Sequence, residues 1–278
     1  MIPAKTLGSR IHFASAFCTM YDGVMPLVLS IDIDFFVQNT VHRAGLGRGT
    51  KRPENVEHLL HNDVDQVLER CSLRDGEKIP GRQMEHHVDA FYDIRDIVEL
   101  ADGAKVELVN LDAHSDVGFG AEASEYLMTD LMQREIENRR APTEGPKGLN
   151  LANWILFCVA NEWLSLVTHV RRQEPKVDRP GYYFGQTERY NLRIPKLTSE
   201  EHEALGDGRL NVKEIRENDQ IGAECPFVVE AALEFSLDRT PDYLLVCRSP
   251  QYSPESADAE FDKAVSFIDE VTLGPRKP

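Results

Sequence analysis

Acids and histidines alternate at the end of one apolar segment, between Leu108 and Gly120. There Asp112, His114 and Asp116 occupy every second position. Residues two apart in an extended chain point to the same side, about 6–7 Å from each other, so these three side chains can converge on one point. Buried carboxylates without a counter-charge cost several kcal/mol or take up protons. The segment therefore favours a metal site, with an ordinary solvated turn as the alternative.

A second apolar segment, from Leu27 to Phe36, carries Asp32 and Asp34 with the same spacing. These carboxylates also need cations, unless they only cap the loop that follows the strand. A third segment contains the adjacent histidines His86 and His87. Neighbouring side chains of an extended chain point in opposite directions, so at most one of the two faces a common site.

Taken together, the segments offer four aspartates and two histidines. Such a set suits two divalent ions about 3.5–4 Å apart that share carboxylates. Oxygen ligands with few imidazoles favour Mn²⁺ or Mg²⁺, with Fe²⁺ or Zn²⁺ as alternatives. Two ions of this kind lower the pKa of a bound water from about 15.7 towards neutrality, which predicts a hydrolase.

The composition excludes several classes of protein. Of 278 residues, 41% are hydrophobic and 28% charged, as in soluble globular proteins. With 47 acidic and 31 basic residues, the net charge of −16 argues against a nucleic-acid partner and favours cations. No run approaches the ~20 apolar residues of a membrane span, and residues 1–17 lack the pattern of a signal peptide. We therefore expect a cytoplasmic protein without a membrane partner, and reduced thiols at its five scattered cysteines.

Strand-like and helix-like patterns alternate along the chain. Apolar runs predict strands at Leu27–Ile33, Val106–Leu111, Phe227–Leu237 and Tyr243–Cys247. Helical spacing marks 53–68, 151–166 and 261–271. This alternation predicts an α/β fold with a mainly parallel sheet, whose ligands lie beyond the carboxyl ends of the strands. We interpret residues 1–278 as a single catalytic domain with an irregular insertion or lid at about 173–219.

Two of these motifs resemble those of a known enzyme family. Asp112-Ala-His114-Ser-Asp116 resembles the metal-binding motif of arginase-like ureohydrolases, and Ser30-Ile-Asp32-Ile-Asp34 resembles their serine-x-aspartate-x-aspartate motif. The wider context is similar to the peptide arginases of ribosomal-peptide pathways. Segments 85–91, 153–155 and 247–250 carry that wider similarity.

The resemblance implies a three-layer arginase/deacetylase-like fold with a relocated N-terminal strand. In the arginases the twin-aspartate strand follows the strand of the aspartate-histidine motif, whereas here it precedes it. Asp238 competes for the role in the usual order, but Arg239 and Thr240 stand where a second acid is needed. We therefore favour Asp32 and Asp34.

The resemblance also implies a ligand set for two ions, most simply Mn²⁺. One ion would be held by Asp32, His87, Asp112 and Asp116, and the other by Asp32, Asp34, Asp112 and His114. His87 takes the family's histidine position, with His86 as the alternative. Asp116 would in addition carry a proton to the leaving nitrogen. The implied reaction converts arginine to ornithine and urea within an arginine-containing precursor peptide.

Other functions stay open on the sequence. Asp32-Ile-Asp34 also resembles the nucleophile motif of haloacid-dehalogenase-type phosphatases, although Phe36 replaces the usual Thr or Val. A zinc deacetylase on the same fold would need one ion, and a non-catalytic member of the fold would bind a peptide without turnover. Trp154 is interpreted as a core residue. The oligomeric state, the metal and the residues that recognise the substrate stay undetermined.

Overall fold

Eight strands form one sheet that runs through the middle of the protein. The computed structural model describes residues 25–37, 63–118, 121–172, 183, 191–211 and 221–270. The strands are β1 (Leu27–Asp32), β2 (Ile79–Met84), β3 (Val106–Leu111), β4 (Leu164–Arg171), β5 (Asn191–Pro195), β6 (Ile221–Ala231), β7 (Tyr243–Cys247) and β8 (Ile268–Glu270). Their order in the sheet is β5-β6-β4-β3-β1-β7-β2-β8. All neighbours are parallel except β5 and β6.

Helices connect the strands and cover the sheet. They are α1 (Val64–Arg70), α2 (Asp89–Leu100), α3 (Ala121–Thr129), α4 (Trp154–Ala160), α5 (Ser199–Gly206) and α6 (Asp258–Val265). Short 3₁₀ turns occur at Ile33–Phe36, Leu131–Gln133, Ile136–Arg139 and Glu255–Ala257. Within the described ranges, no helix combines the length and apolar character needed to cross a lipid bilayer.

Alternate residues of the central strand enter two separate cores. Val28 packs in the core that contains α2 and α4. Leu29 and Ile31 pack in the core that contains α1 and α6. This alternation follows from the two-residue period of a strand that is buried on both faces. The expected α/β class with a mainly parallel sheet between helical layers is confirmed; the arginase-like assignment stays a prediction.

The strand that was expected to be relocated lies in the centre of the sheet. β1 pairs with β3 on one side and with β7 on the other. In this register Ile31 lies beside Leu111, and Asp32 lies beside Cys247. The carboxyl ends of β1 and β3 are therefore level, and the residues that follow them meet at the same edge.

Several boundaries differ from the sequence-based expectations. The helix expected over 151–166 ends at Ala160, because Glu162 adopts a left-handed conformation and β4 begins at Leu164. The strand expected at 227–237 covers Ile221–Ala231 instead, and the C-terminal helix ends at Val265 before the edge strand β8. The expected helix over 53–68 is described only from Val64, and its earlier part lies outside the described residues.

Some elements of the fold were not expected from the sequence. β2 has an atypical composition, with Pro80 and Gly81 in its centre. Gly81 is required there because an added Cβ would lie 2.0 Å from the Leu244 carbonyl oxygen of β7. The insertion at 173–219 is not wholly irregular, since its described part contains β5 and α5. The four described cysteines are buried free thiols, as expected; Cys18 lies outside the described residues.

Candidate metal centre

The predicted ligands come from the ends of three strands of the parallel sheet. Asp32 is the last residue of β1, Asp112 follows β3 directly, and His87 lies three residues after β2. β7 lies between β1 and β2. Asp32 of β1 and Met84 of β2 both pair with Cys247 of β7, so β1, β7 and β2 end level with one another. The fold therefore brings residues that are far apart in sequence to one edge of the sheet, where open α/β folds keep their ligands.

One set of ligands surrounds His87, and we call it the inner group: Asp32, His87, Asp112 and Asp116. The Nδ1 atom of His87 lies 3.2 Å from Asp32 Oδ2, 3.1 Å from Asp112 Oδ2 and 2.9 Å from Asp116 Oδ2. All four side chains are at most 5% exposed. Despite these short distances, Nδ1 is aligned with none of the oxygens for a hydrogen bond.

Because Nδ1 is aligned with none of these oxygens, the arrangement suits ligands of one cation better than hydrogen-bond partners. Atoms bound about 2.1 Å from a hexacoordinate ion are about 3.0 Å apart at adjacent positions. Three carboxylate oxygens at 2.9–3.2 Å from one imidazole nitrogen match that spacing. Asp32, His87 and Asp112 each offer one atom to a common point, so the inner group fits a divalent ion.

A second set of ligands, which we call the outer group, consists of Asp34, Asp112 and His114. His114 Nδ1 lies 2.9 Å from Asp34 Oδ2 and 3.6 Å from Asp112 Oδ1. The three residues again offer atoms that can share one ion. Backbone amides hold the acids, since the Ala113 amide donates to Asp34 Oδ1 at 3.2 Å and the His114 amide donates to Asp112 Oδ1 at 2.7 Å.

Asp112 belongs to both groups and presents a different oxygen to each. Its Oδ2 faces His87, whereas its Oδ1 faces His114. A carboxylate that bridges two ions uses its two oxygens in this way. Asp32 does not repeat this arrangement: its Oδ2 faces His87, and its Oδ1 accepts the Asp34 amide at 3.2 Å.

Polar side chains that are not ligands orient the inner group. Ser30 Oγ lies 2.9 Å from His87 Nε2, so the Nε2–H tautomer of His87 would donate to Ser30 and leave Nδ1 to a cation. Ser249 donates to Asp32 Oδ2. The Trp154 indole donates to Asp116 Oδ2 at 2.6 Å. His87, Asp32 and Asp116 thus each have a hydrogen-bond partner that fixes the orientation of the side chain.

These orienting residues were not identified as such from the sequence. Trp154 is fully buried, as its interpretation as a core residue requires, and its N–H nonetheless serves Asp116. Ser249 lies in segment 247–250, which was singled out only for its similarity to the peptide arginases. The one local signal for Ser30 is its position two residues before Asp32, which places both side chains on the same face of β1.

Two residues of the centre have left-handed backbone conformations. Asp116 has a φ of 51° and Ser249 has a φ of 44°. Non-glycine residues seldom adopt this region, and they cost energy when they do. Such conformations concentrate at functional sites, where the surrounding fold enforces them. Here they aim Asp116 at His87 and Ser249 at Asp32.

Crowded acids and burial shift the pKa values of the inner group. Burial opposes protonation of His87, but the carboxylates of Asp116, Asp112 and Asp32 outweigh it and raise the pKa of His87 well above its ordinary value. Burial and the charge of Asp112 raise the pKa of Asp116 well above the usual range of a carboxyl. The metal-free group therefore retains protons that a cation would displace.

The outer group shows the same pattern. Burial, with the carboxylates of Asp32 and Asp112, raises the pKa of Asp34 to about 7 against an opposing effect of His114. Burial would raise the pKa of Asp112 too, but its two histidine neighbours hold that pKa well below the ordinary value. The pKa of His114 is raised by Asp34 and Asp112 although burial opposes it. Excess negative charge thus converges on both groups.

The six predicted ligands are brought together by the fold, and the rejected alternatives are not. Five of them, Asp32, Asp34, His87, Asp112 and His114, form the two potential metal-binding clusters, and Asp116 places an oxygen 2.9 Å from His87 Nδ1. His86 is exposed, and Asp238 lies exposed in the turn after β6. Among the described residues, neither takes part in a potential metal-binding cluster.

Comparisons with protein-family models, with curated proteins and with solved structures found no match to this chain. The donor atoms of the centre indicate which metal ion it would bind. Carboxylate oxygens predominate, with one imidazole nitrogen in each group and no thiolate. This donor set suits hard or borderline divalent ions such as Mn²⁺ better than the thiolate sites typical of structural zinc.

Proposed function

We propose that the protein is a binuclear metal hydrolase that converts arginine residues of a peptide to ornithine and urea. The observation that carries this proposal is the position of Asp112, whose two oxygens face His87 and His114 separately. One carboxylate shared by two ligand groups is the arrangement that a pair of divalent ions requires. The specific substrate is supported by the resemblance of the two aspartate motifs to those of peptide arginases.

Two divalent ions, when bound, supply a water of lowered pKa as the nucleophile. The inner group would hold one ion through Asp32, His87, Asp112 and Asp116, and the outer group the other through Asp34, Asp112 and His114. Asp32 serves only the inner group in this assignment, because the cluster around His114 consists of Asp34, Asp112 and His114. The chain's own contribution is to fix these ligands in a buried cluster from which bulk water is largely excluded.

Proton transfer in this proposal belongs to Asp116. Addition of water to the guanidinium carbon forms a C–O bond and breaks the C–N bond to the side chain, which leaves urea and the ornithine amine. The proton released by the water has to reach the leaving nitrogen. Asp116 takes this role because its carboxylate lies at the centre, 2.9 Å from His87 Nδ1, and because the resemblance to the arginases implies it. The Trp154 indole fixes one oxygen of Asp116 throughout.

Charge supports a cationic substrate. The chain has a net charge of −16, and four aspartates converge on the centre. Two divalent ions balance these four acids, while the acidic surface still raises the local concentration of cations. An arginyl side chain fits this field, whereas an anionic phosphate ester fits it poorly.

The proposal is tested with the Mn²⁺-loaded protein and a panel of arginine-containing peptides. Each converted arginine lowers the peptide mass by about 42 Da, because urea leaves after water is added. The matched control is Asp116→Asn, which we expect to retain the fold but to lose nearly all turnover. If no peptide loses this mass while free arginine is hydrolysed, the peptide preference is wrong. If neither is converted, the arginase activity is wrong.

The competing functions give different results in the same preparation. A haloacid-dehalogenase-type phosphatase would hydrolyse an aryl phosphate with Mg²⁺ and would use Asp32 as a nucleophile. That role would leave Asp112, His114 and Asp116, which lie in the same cluster, without a function. A zinc deacetylase would bind one ion per chain. A non-catalytic binding protein would take up metal and peptide without any product.

A further inference from the structure

The two ligand groups differ in their exposure. Inner-group side chains are at most 5% exposed, and Asp34 is fully buried. His114 is 17% exposed, which makes it the most accessible of the six predicted ligands. A substrate that reaches the centre therefore has to approach from the side of His114, and residues beside that ring are the first candidates for contact with it.

Tyr252 lies at this entrance. Its ring packs against the imidazole of His114, with the ring centroids 4.6 Å apart and the planes inclined by 54°. Burial raises the pKa of Tyr252 to about 12, and the carboxylates of Asp116, Asp34 and Asp32 add to this rise against the opposing charge of His114. No hydrogen bond joins this hydroxyl to another residue that the structure describes, and the side chain is only partly exposed.

A rigid turn after β7 holds Tyr252 in place. The carbonyl of Ser249 accepts hydrogen bonds from the amides of Tyr252 and Ser253, both at 2.9 Å, and from the Ser253 hydroxyl at 2.9 Å. The Ser249 side chain in turn donates to Asp32. Arg248 anchors the outside of the turn by stacking on Phe261, with its guanidinium carbon 4.2 Å from the ring centroid. One turn therefore contacts the inner group at its start and the outer group near its end.

We infer that Tyr252 is a substrate-binding residue whose hydroxyl contacts the guanidinium group of the arginyl side chain. This inference rests on the proposed function. A guanidinium carries only hydrogen-bond donors, and a tyrosine hydroxyl is a neutral group that can accept from them. The turn fixes the hydroxyl before the substrate arrives, so little conformational freedom is lost on binding. The residue contributes to substrate affinity, and the chemical step does not depend on it.

Tyr252→Phe tests the inference, because phenylalanine retains the ring against His114 and removes only the hydroxyl. Loss of one hydrogen bond to a charged group predicts a KM for arginyl peptide that is about tenfold higher. We expect kcat to change less than about twofold, since binding in the ground state and in the transition state is weakened alike. In an Asp116→Asn background, the Kd of the same peptide should rise by the same factor in calorimetry.

Tyr92→Phe is the matched control. The hydroxyl of Tyr92, on α2, bonds to Glu144, which is not one of the proposed ligands, so this variant should match the unaltered protein. The metal content of the Tyr252→Phe variant is measured in parallel. An unchanged KM, or a loss of metal from the variant, would overturn the role of Tyr252 while leaving the proposed function in place. If the unaltered protein converts no arginyl peptide, the proposed function fails, and the inference fails with it.

Discussion

Asp32 and Asp112 stand level at the ends of two adjacent parallel strands, because Ile31 pairs with Leu111 across β1 and β3. Both carboxylates turn towards His87, whose Nδ1 lies 3.2 Å from one and 3.1 Å from the other. Their like charges repel each other, and in the metal-free protein protonated His87 compensates them. The strand register thus places the carboxylates of Asp32 and Asp112 where a divalent ion would neutralise their charge.

Ser30→Ala tests how His87 is oriented. Removing the hydroxyl takes away the partner of Nε2 and lets the ring rotate or change tautomer. Loss of such a supporting contact typically weakens metal binding by about 10–100-fold. We expect this loss in competition titrations with a chelator, together with little change in the unfolding of the metal-free protein.

A matched control for Ser30→Ala is Ser165→Ala. Ser165 donates to the Val106 carbonyl at the opposite end of the sheet, at 3.0 Å. Its removal costs a hydrogen bond of similar kind but leaves the centre untouched. Equal metal affinity of the two variants would show that Ser30 does not orient His87.

Trp154→Phe separates packing from hydrogen bonding at Asp116. Phenylalanine keeps an aromatic ring beside His87, whose centroid lies 5.0 Å from that of Trp154, and removes the indole N–H. We expect kcat for arginyl peptide to fall about tenfold or more, because a bond to a charged group is lost. Trp163→Phe, in the same core, controls for the change in volume. Equal kcat values for the two variants would contradict a role for the indole.

The two ligand groups should lose metal independently. In His114→Ala, the inner group keeps Asp32, His87 and Asp112, so mass spectrometry under native conditions should find one ion per chain. In Asp112→Asn, both groups lose charge and their shared ligand, so metal binding should be weakened at both. A His114→Ala variant that retains two ions would exclude His114 as a ligand.

Metal binding should release more protons at low pH than at high pH. The pKa of Asp34 is raised to about 7, so in the metal-free protein this carboxyl is mostly protonated near pH 6 and mostly ionised near pH 8. Mn²⁺ therefore displaces nearly one additional proton near pH 6. Calorimetry in buffers of different ionisation enthalpy counts these protons, and Asp34→Asn should reduce the difference. Equal proton release at both pH values would refute the shift.

The raised pKa of Asp34 also determines whether the metal-free protein becomes more or less stable as pH rises. Because the pKa of Asp34 is raised above its unfolded value of about 3.8, the folded metal-free protein binds the proton more tightly. Its contribution to the free energy of unfolding therefore falls as pH rises from about 4 to about 7. Saturating Mn²⁺ should remove this decline, as seen by chemical denaturation across that range.

The sequence predicted the residues that converge at the candidate centre better than the elements that carry them. Asp112, His114 and Asp116 alternate directly after an apolar run, and Asp32 and Asp34 do the same, so local spacing was informative. α2 was missed, although Phe91, Ile94 and Val98 recur at helical spacing. β2 was missed because proline and glycine interrupt its pattern.

The orienting residues could not be predicted from local patterns. Ser249 is 217 positions away from Asp32, and Trp154 is 38 away from Asp116. These contacts depend on which strands are neighbours in the sheet, and sequence spacing carries no information about that. Tyr252 reaches His114 only because β7 lies beside β1. Nor could strand order be read from the motifs, which left the position of the N-terminal strand open.

The most direct test of the account is a crystal structure of the Mn²⁺-loaded protein with anomalous scattering at the manganese edge. We expect two anomalous peaks per chain about 3.5–4 Å apart. One should lie within bonding distance of Asp32, His87 and Asp112, and the other within bonding distance of Asp34, Asp112 and His114. A single peak, or peaks at ligands other than these, would contradict the shared role of Asp112 and the binuclear centre built on it.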